Sequence, residues 1–140
     1  MDKNPVKVYF CGSIRGGRAD LLVYQKLISF LKLYGTVLTE HIGEKEILTD
    51  LHLSGEEIYQ RDMEWMTQAD FVVAEVSTPS LGVGFEIAKA IGLNKKILCL
   101  SQAKNNQNLS AMISGCPDLQ IVLYSGINEA KSAINNFMTE

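Results

Sequence analysis

Residues 71–86 read Phe71-Val72-Val73-Ala74-Glu75-Val76-Ser77-Thr78-Pro79-Ser80-Leu81-Gly82-Val83-Gly84-Phe85-Glu86, and this stretch decides the fold. A short, nearly continuous apolar run such as Phe71 to Glu75 is the pattern of a strand buried on both faces of a parallel sheet. The loop Ser77-Thr78-Pro79-Ser80 stops it, and a helix begins within Leu81 to Glu86 and continues to about Leu93. The same β-α alternation extends outward in both directions. Upstream, Val6 to Cys11 is a strand ended by the loop Gly12 to Arg18, Asp20 opens a helix reaching about Tyr34, and Thr36 to Thr39 is a second strand. Leu27, Phe30, Leu31 and Tyr34 share one face of that first helix. Residues 42–55 are polar and mixed and read as a long loop with one short helix, Glu44 to Leu51, before a helix from Glu56 to Ala69. Downstream come a strand at Lys96 to Leu100, a polar stretch from Gln102 to Asn108, a short helix at Leu109 to Ser114, a strand at Gln120 to Tyr124 and a helix at Asn128 to Phe137. Five strands with helices on both faces make a doubly wound α/β fold of one domain, 1–140, whose ligand binds beyond the carboxyl ends of the strands.

Composition narrows the function classes. The 140 residues are 46% apolar and 21% charged, enough for one domain with a real core. Thirteen Lys plus Arg against sixteen Asp plus Glu leave a net charge of −3, without the basic excess that binding to a nucleic-acid polymer requires. No apolar run reaches membrane-spanning length, and Met1 to Val6 is a short polar lead-in rather than a leader. A soluble intracellular protein with no membrane partner is the expectation. Cys11, Cys99 and Cys116 are odd in number and never form C-x-x-C, so no disulfide framework or zinc ribbon is expected, and Cys11 and Cys99 read as buried apolar residues.

The loops after the strands hold the groups that could do chemistry. Gly12-Ser13-Ile14-Arg15-Gly16-Gly17-Arg18 offers bare backbone N–H groups and two guanidinium forks, the components of a phosphate site, without being a dinucleotide fingerprint or a Walker A loop. The alternative is a tight turn in which glycine supplies positive φ. Ser80 and Gly82 stand at a helix start, where the macrodipole and unpaired N–H groups favour an anion; a plain cap with glycines for close helix-to-sheet packing is the competing reading. Ile58, Asp62, Trp65 and Ala69 fall on one stripe, so Asp62 is an acid inside an apolar face. Glu86, in the first turn of the helix after Gly84, would be held as an anion by the helix dipole. Paired acids at one pocket suit glycosidic cleavage, one attacking the sugar carbon while the other handles the proton. The alternatives are that Glu86 complements the dipole and Asp62 pairs with an arginine. Tyr9 carries a phenol inside an apolar strand and needs a partner, which a carboxylate across the cleft would supply; a core tyrosine is the plain alternative. His41 follows the second strand and can line the cleft, and Trp65 reads as packing. The histidines lack metal-ligand spacing and no nucleophile elbow is present, which removes support for zinc or triad chemistry.

Taken together, Tyr9 to Arg18, Gly35 to His41, Asp62-Met63-Glu64-Trp65, Ala69 to Val76, Pro79 to Glu86 and Leu109-Ser110-Ala111-Met112-Ile113 closely resemble the 2'-deoxynucleoside 5'-phosphate N-hydrolases, relatives of the nucleoside 2-deoxyribosyltransferases. The resemblance runs in matching order from Tyr9 to about Ile113. It implies a Rossmann-like fold, a homodimer, no metal or organic cofactor, and hydrolysis of a small-molecule deoxynucleotide to free base and 2-deoxyribose 5-phosphate. By the same resemblance Glu86 is the nucleophile, Tyr9 orients it, and Asp62 assists departure of the base. Gly12, Ser13, Ile14, Arg15, Gly16, His41, Ser80, Gly82 and Met112 line the substrate site, and Ser110 reaches the phosphate from the partner subunit. Phe85 stands where the family often has Tyr, and the loop 42–55 is variable, which leaves base preference open. The implied location is the cytoplasm, with the nucleus also open. Two other readings remain at this point: a deoxyribosyltransferase that passes the sugar to a second base, and a nucleotide-binding module without turnover.

Overall fold

The computed structural model describes residues 5–14 and 20–140. Its five strands are β1 (Val6–Cys11), β2 (Gly35–Val37), β3 (Phe71–Glu75), β4 (Lys96–Gln102) and β5 (Gln120–Tyr124). They form one sheet in the order β2-β1-β3-β4-β5 with every pair parallel. Five helices cover it: α1 (Leu21–Leu31), α2 (Gly55–Gln68), α3 (Leu81–Gly92), α4 (Ala111–Ser114) and α5 (Ile127–Thr139). Because successive strand side chains point to opposite faces, the core divides in two. Val8, Phe10, Val73, Leu98 and Leu100 pack with Tyr24, Leu27 and Leu31 of α1 and Ile134 and Phe137 of α5. Tyr9, Cys11, Val72, Ala74, Ile97 and Cys99 pack with Met66 of α2 and Val83, Ile87 and Ala90 of α3. The doubly wound α/β reading is therefore correct. From β1 the chain leaves to β2 on one side, while β3 lies on the other, so the sheet reverses direction between β1 and β3 and opens a crevice at their carboxyl ends. Among the described residues no helix is long and apolar enough to cross a membrane.

Several boundaries differ from expectation, each for a local reason. Strand β2 stops at Val37 rather than Thr39 because the Thr39 hydroxyl takes over the pairing: it accepts from the Phe10 N–H at 2.8 Å and donates to the Phe10 carbonyl at 2.7 Å. The helix expected at Glu44 to Leu51 is absent; two 3-10 turns, Glu40–Gly43 and Leu48–Asp50, stand in that region. Without an apolar stripe, those residues have no face to bury and no reason to propagate a helix. Strand β4 runs on to Gln102, where it pairs with Tyr124 of β5. Helix α3 starts at Leu81 because Ser80 caps it, accepting from the Val83 N–H at 3.3 Å. Glu86 therefore sits in the second turn, not the first, beyond the reach of the terminal N–H groups, and the helix dipole does not hold it as an anion.

Two glycines illustrate opposite constraints. A Cβ on Gly35 would lie 2.1 Å from the Val6 carbonyl oxygen, a backbone atom that cannot move aside, whereas a Cβ on Gly92, at the end of α3, meets nothing within 4 Å. Gly35→Ala should destabilise the protein by about 3 kcal/mol or more, and Gly92→Ala should stabilise it by about 0.5–1 kcal/mol. Urea denaturation of the two variants checks both signs.

Candidate active site

Two acids and a phenol meet at the β1–β3 crevice. Tyr9 is fully buried on β1, and its side chain points to the α2–α3 face. From there its hydroxyl donates to Oε2 of Glu86, across from it on α3. The phenol has found the carboxylate it needed. The Glu86 carboxyl is pushed up to about 7: burial raises it most, the Tyr9 hydroxyl that donates to it lowers it, the nearby Asp62 charge raises it, and the Cys11 thiol lowers it. Burial and then the Glu86 charge drive the Tyr9 phenol far above its usual range, so it serves as a donor and not as a base.

Asp62 reaches this group from α2. That helix is entered through a capping box, in which Ser54 accepts from the Glu57 N–H and Glu57 accepts from the Ser54 N–H. Its apolar stripe faces the sheet and brings Asp62 inward. Burial raises the Asp62 carboxyl, while the adjacent Arg61 pulls it down. The guanidinium is held in place by its own contacts: Nε donates to Asp62 at 3.0 Å, Nη1 donates to Asp50 at 2.6 Å, and the plane lies 4.8 Å from the Trp65 ring. Nη2 sits 3.3 Å from Nε2 of His41. His41 is buried, and burial followed by the Arg61 charge lowers its pKa, so it is neutral at pH 7. Arg61 and Asp50 were not singled out from the sequence. The signal was there: an arginine beside an inward acid has to be paired with it or with something else in the same wall. Asp62 does pair with an arginine, and it still lies close enough to Glu86 to raise its pKa.

The phosphate-side candidates divide by location. Ser80 caps α3, as noted, and a hydroxyl accepting one hydrogen bond still has its proton to donate. A Cβ on Gly82 would meet only Ser80 Oγ at 3.9 Å and one on Gly84 nothing within 4 Å. Close helix-to-sheet packing therefore does not account for these two glycines. Gly12 is different: a Cβ there would press on the Tyr24 ring at 2.9 Å, and no positive φ is involved. The Ser13 backbone N–H donates to the Tyr24 hydroxyl at 2.9 Å and so is not bare. Ile14 is half-buried at the end of this segment, while Arg15 and Gly16 lie outside the described residues. Ser110 and Met112 are at α4, away from Glu86 and Asp62 in sequence; the Ser110 hydroxyl accepts from the Met112 N–H at 3.2 Å, and Met112 is 83% exposed. Cys11 and Cys99 are buried, as expected, and Cys116 is partly exposed.

The chain was compared with known proteins against this geometry. The family model described as nucleoside 2-deoxyribosyltransferase matches residues 8–138. A Mus musculus protein named 5-hydroxymethyl-dUMP N-hydrolase is 50% identical over 121 residues, covering 81% of this chain and 68% of that protein. One of the same name from Esox lucius is 47% identical over 119 residues, covering 79% of each. Among solved structures, the fold is shared with Clostridium botulinum CMP N-glycosidase BcmB, with TM-score 0.65 and 20% identity over 94% of this chain and 98% of that one. It is also shared with BlsM, with TM-score 0.72 and 24% identity over 97% and 91% of the two chains. A match spanning all five strands, the Tyr9–Glu86 pair and Asp62 places this chain in the nucleoside 2-deoxyribosyltransferase family.

Proposed function

We propose that this protein is an N-hydrolase that cleaves the glycosidic bond of 2'-deoxynucleoside 5'-monophosphates, acting as a homodimer without a metal or organic cofactor. The observation that carries the reading is the partly buried Tyr9–Glu86 hydrogen bond with Asp62 beside it. Relatives about half identical to this chain are named as hydrolases of such a nucleotide, which favours water over a second base as the acceptor. Glu86 Oε attacks C1' of the sugar while the C1'–N bond breaks and its electron pair passes to the base. Asp62, whose carboxyl burial raises while Arg61 opposes it, acts as the acid that gives the base its proton. Water then adds to C1', Asp62 takes the water proton, and the C1'–O bond to Glu86 breaks, returning its electron pair to the carboxylate. A 2'-deoxy sugar is the easier substrate, since no electron-withdrawing 2'-oxygen opposes the charge developing at C1'. His41 and the Arg61 cluster lie on the base side, and Gly12, Ser13, Ile14, Arg15, Gly16, Ser80 and Gly82 form the phosphate side. Leu81 is 97% exposed, and Phe85, one turn on along α3, lies ring to ring with Tyr59 at 6.0 Å, both half exposed. This apolar patch next to Glu86 supports a subunit contact that brings Ser110 of the second copy to the phosphate. The reading implies an intracellular protein, in the cytoplasm or the nucleus.

The test is chromatography of incubations with a deoxynucleoside 5'-monophosphate, its deoxynucleoside and the matching ribonucleotide. Free base should appear from the first alone. Release from the nucleoside, or a new nucleotide when a free base is added, would establish a transferase instead. Glu86→Gln should lower turnover on the order of 10⁴-fold while still binding the monophosphate, and the wild type should show a mass increase of one deoxyribose phosphate on Glu86 when quenched early. The same variant should be more stable at pH 8. The folded carboxyl, at about 7, lies above its ordinary 4.5. Glu86 thus contributes stability below about pH 4.5 that is lost as pH rises through 7, and Gln escapes that loss, worth about 2–3 kcal/mol. Thermal melts at pH 5 and pH 8 check the sign.

Activity should rise as Glu86 ionises, with an acid limb near pH 7. Tyr9→Phe removes a bond that favours the anion, so the limb should move upward by about one pH unit; a limb that stays in place would remove Tyr9 from the mechanism. Ser110→Ala should raise KM for the monophosphate by about tenfold, the loss of one hydrogen bond to a charged group. An unchanged KM would remove Ser110 from the phosphate site.

A further inference from the structure

On the opposite face of β3 from the catalytic acids is a second carboxylate that the proposed reaction does not use. Glu75, the last residue of β3, is fully buried. Among the described residues no Lys, Arg or His pairs with it; instead it accepts three hydrogen bonds. These come from the Tyr124 hydroxyl at the end of β5, the Ser77 N–H at 2.7 Å and the Ser77 hydroxyl at 3.0 Å. Ser77 Oγ in turn accepts from the Gln102 N–H at 2.8 Å, at the end of β4. The carboxyl ends of three adjacent strands are thus tied to one turn. Burying a carboxylate without a cation is costly, and core packing does not require it here.

Asp20 shows the same pattern of apparent waste. It occupies the N-cap position of α1, where an aspartate ordinarily bonds its own helix, yet its side chain makes no cap hydrogen bond. Its carboxylate turns away and accepts from the Thr78 hydroxyl at 2.7 Å and from the Gln102 side-chain amide at 3.0 Å. Asp20 closes the loop that follows β1, and Thr78 belongs to the loop that follows β3. Thr78 precedes Pro79, which restricts it to extended backbone, and Ser80 follows at once as the cap of α3.

We infer that Glu75, Asp20 and Thr78 are positioning residues for the phosphate side of the site. Glu75 fixes Ser77, Asp20 fixes Thr78, and between them they set where Ser80 and the first N–H groups of α3 stand relative to the loop after β1. The inference rests on the proposed function, because it presumes that a 5'-phosphate docks between those two loops. It goes further in assigning phosphate selectivity to residues that touch no substrate, on the face of the sheet opposite Glu86.

The test uses the link that can be cut with least risk to folding. Thr78→Val keeps the shape and removes the hydroxyl, and Thr78→Ser restores it. Binding of a deoxynucleoside 5'-monophosphate and of the unphosphorylated deoxynucleoside is measured by calorimetry, alongside kcat, KM and the melting temperature. For Thr78→Val, affinity for the monophosphate should fall about tenfold and KM should rise to match. The kcat value and nucleoside affinity should stay within about twofold, and Thr78→Ser should recover the wild-type values. Asp20→Asn, which retains one acceptor oxygen, should fall between them. A wild type that prefers the monophosphate together with a Thr78→Val variant that keeps the full preference overturns the inference alone. Equal losses for both ligands, or a fall in kcat with unchanged KM, also overturn it, since they indicate general loosening. A wild type with no preference for the monophosphate overturns the proposed function, and the inference with it.

Discussion

A half-buried carboxylate that, among the described residues, has no cation paired with it is the constraint around which this molecule is arranged. Glu86 is held near the midpoint of its titration by burial on one side and the Tyr9 hydroxyl on the other. Neither works alone. Burial without the phenol would leave a neutral acid that cannot attack, and the phenol in open water would have little to stabilise. The parallel sheet makes both possible, because β1 carries Tyr9 into the interior at the point where neighbouring strands lead their loops to opposite sides.

The alternation of strand side chains then separates two tasks. Tyr9 and Cys11 face α2 and α3, the helices that carry Asp62 and Glu86. Glu75 follows Ala74 on β3, so its side chain faces the other way, towards Tyr124 and the packing of α1 and α5. The loop from Ser77 to Ser80 passes over both. Its far end caps the helix that presents Glu86, and its near end is bonded to Glu75.

Much of this architecture was legible in the residues. The apolar runs at Phe71–Glu75 and Gln120–Tyr124 became β3 and β5 with those bounds, because a change of polarity marks each end of the run. The boundaries that moved did so where a side chain replaced a backbone partner. Thr39 cut β2 short, while Ser80 capped α3 at Leu81, inside the span read for its start. The stripe on α2 brought Asp62 inward, and the isolated phenol of Tyr9 pointed to a carboxylate partner. What spacing could not give was who pairs with whom across long separations. Arg61 with Asp50, and Asp20 with Thr78, join residues with no periodic relation, and the dipole argument for Glu86 failed because it put in the first turn of α3 a residue that stands in the second.

The bond from Tyr9 to Glu86 spans 77 positions of the chain, and every strand pairing in the sheet is a parallel one that needs a crossover. Contacts of that range form late, after the entropy of closing the intervening loops has been overcome. The group of Tyr9, Asp62 and Glu86 accordingly has no local precursor. On a ribosome, Tyr9 emerges long before its partner is synthesised, and a chain halted anywhere before α3 lacks the carboxylate altogether. Assembly of this site is in effect a report that β1, β3 and α3 have found one another.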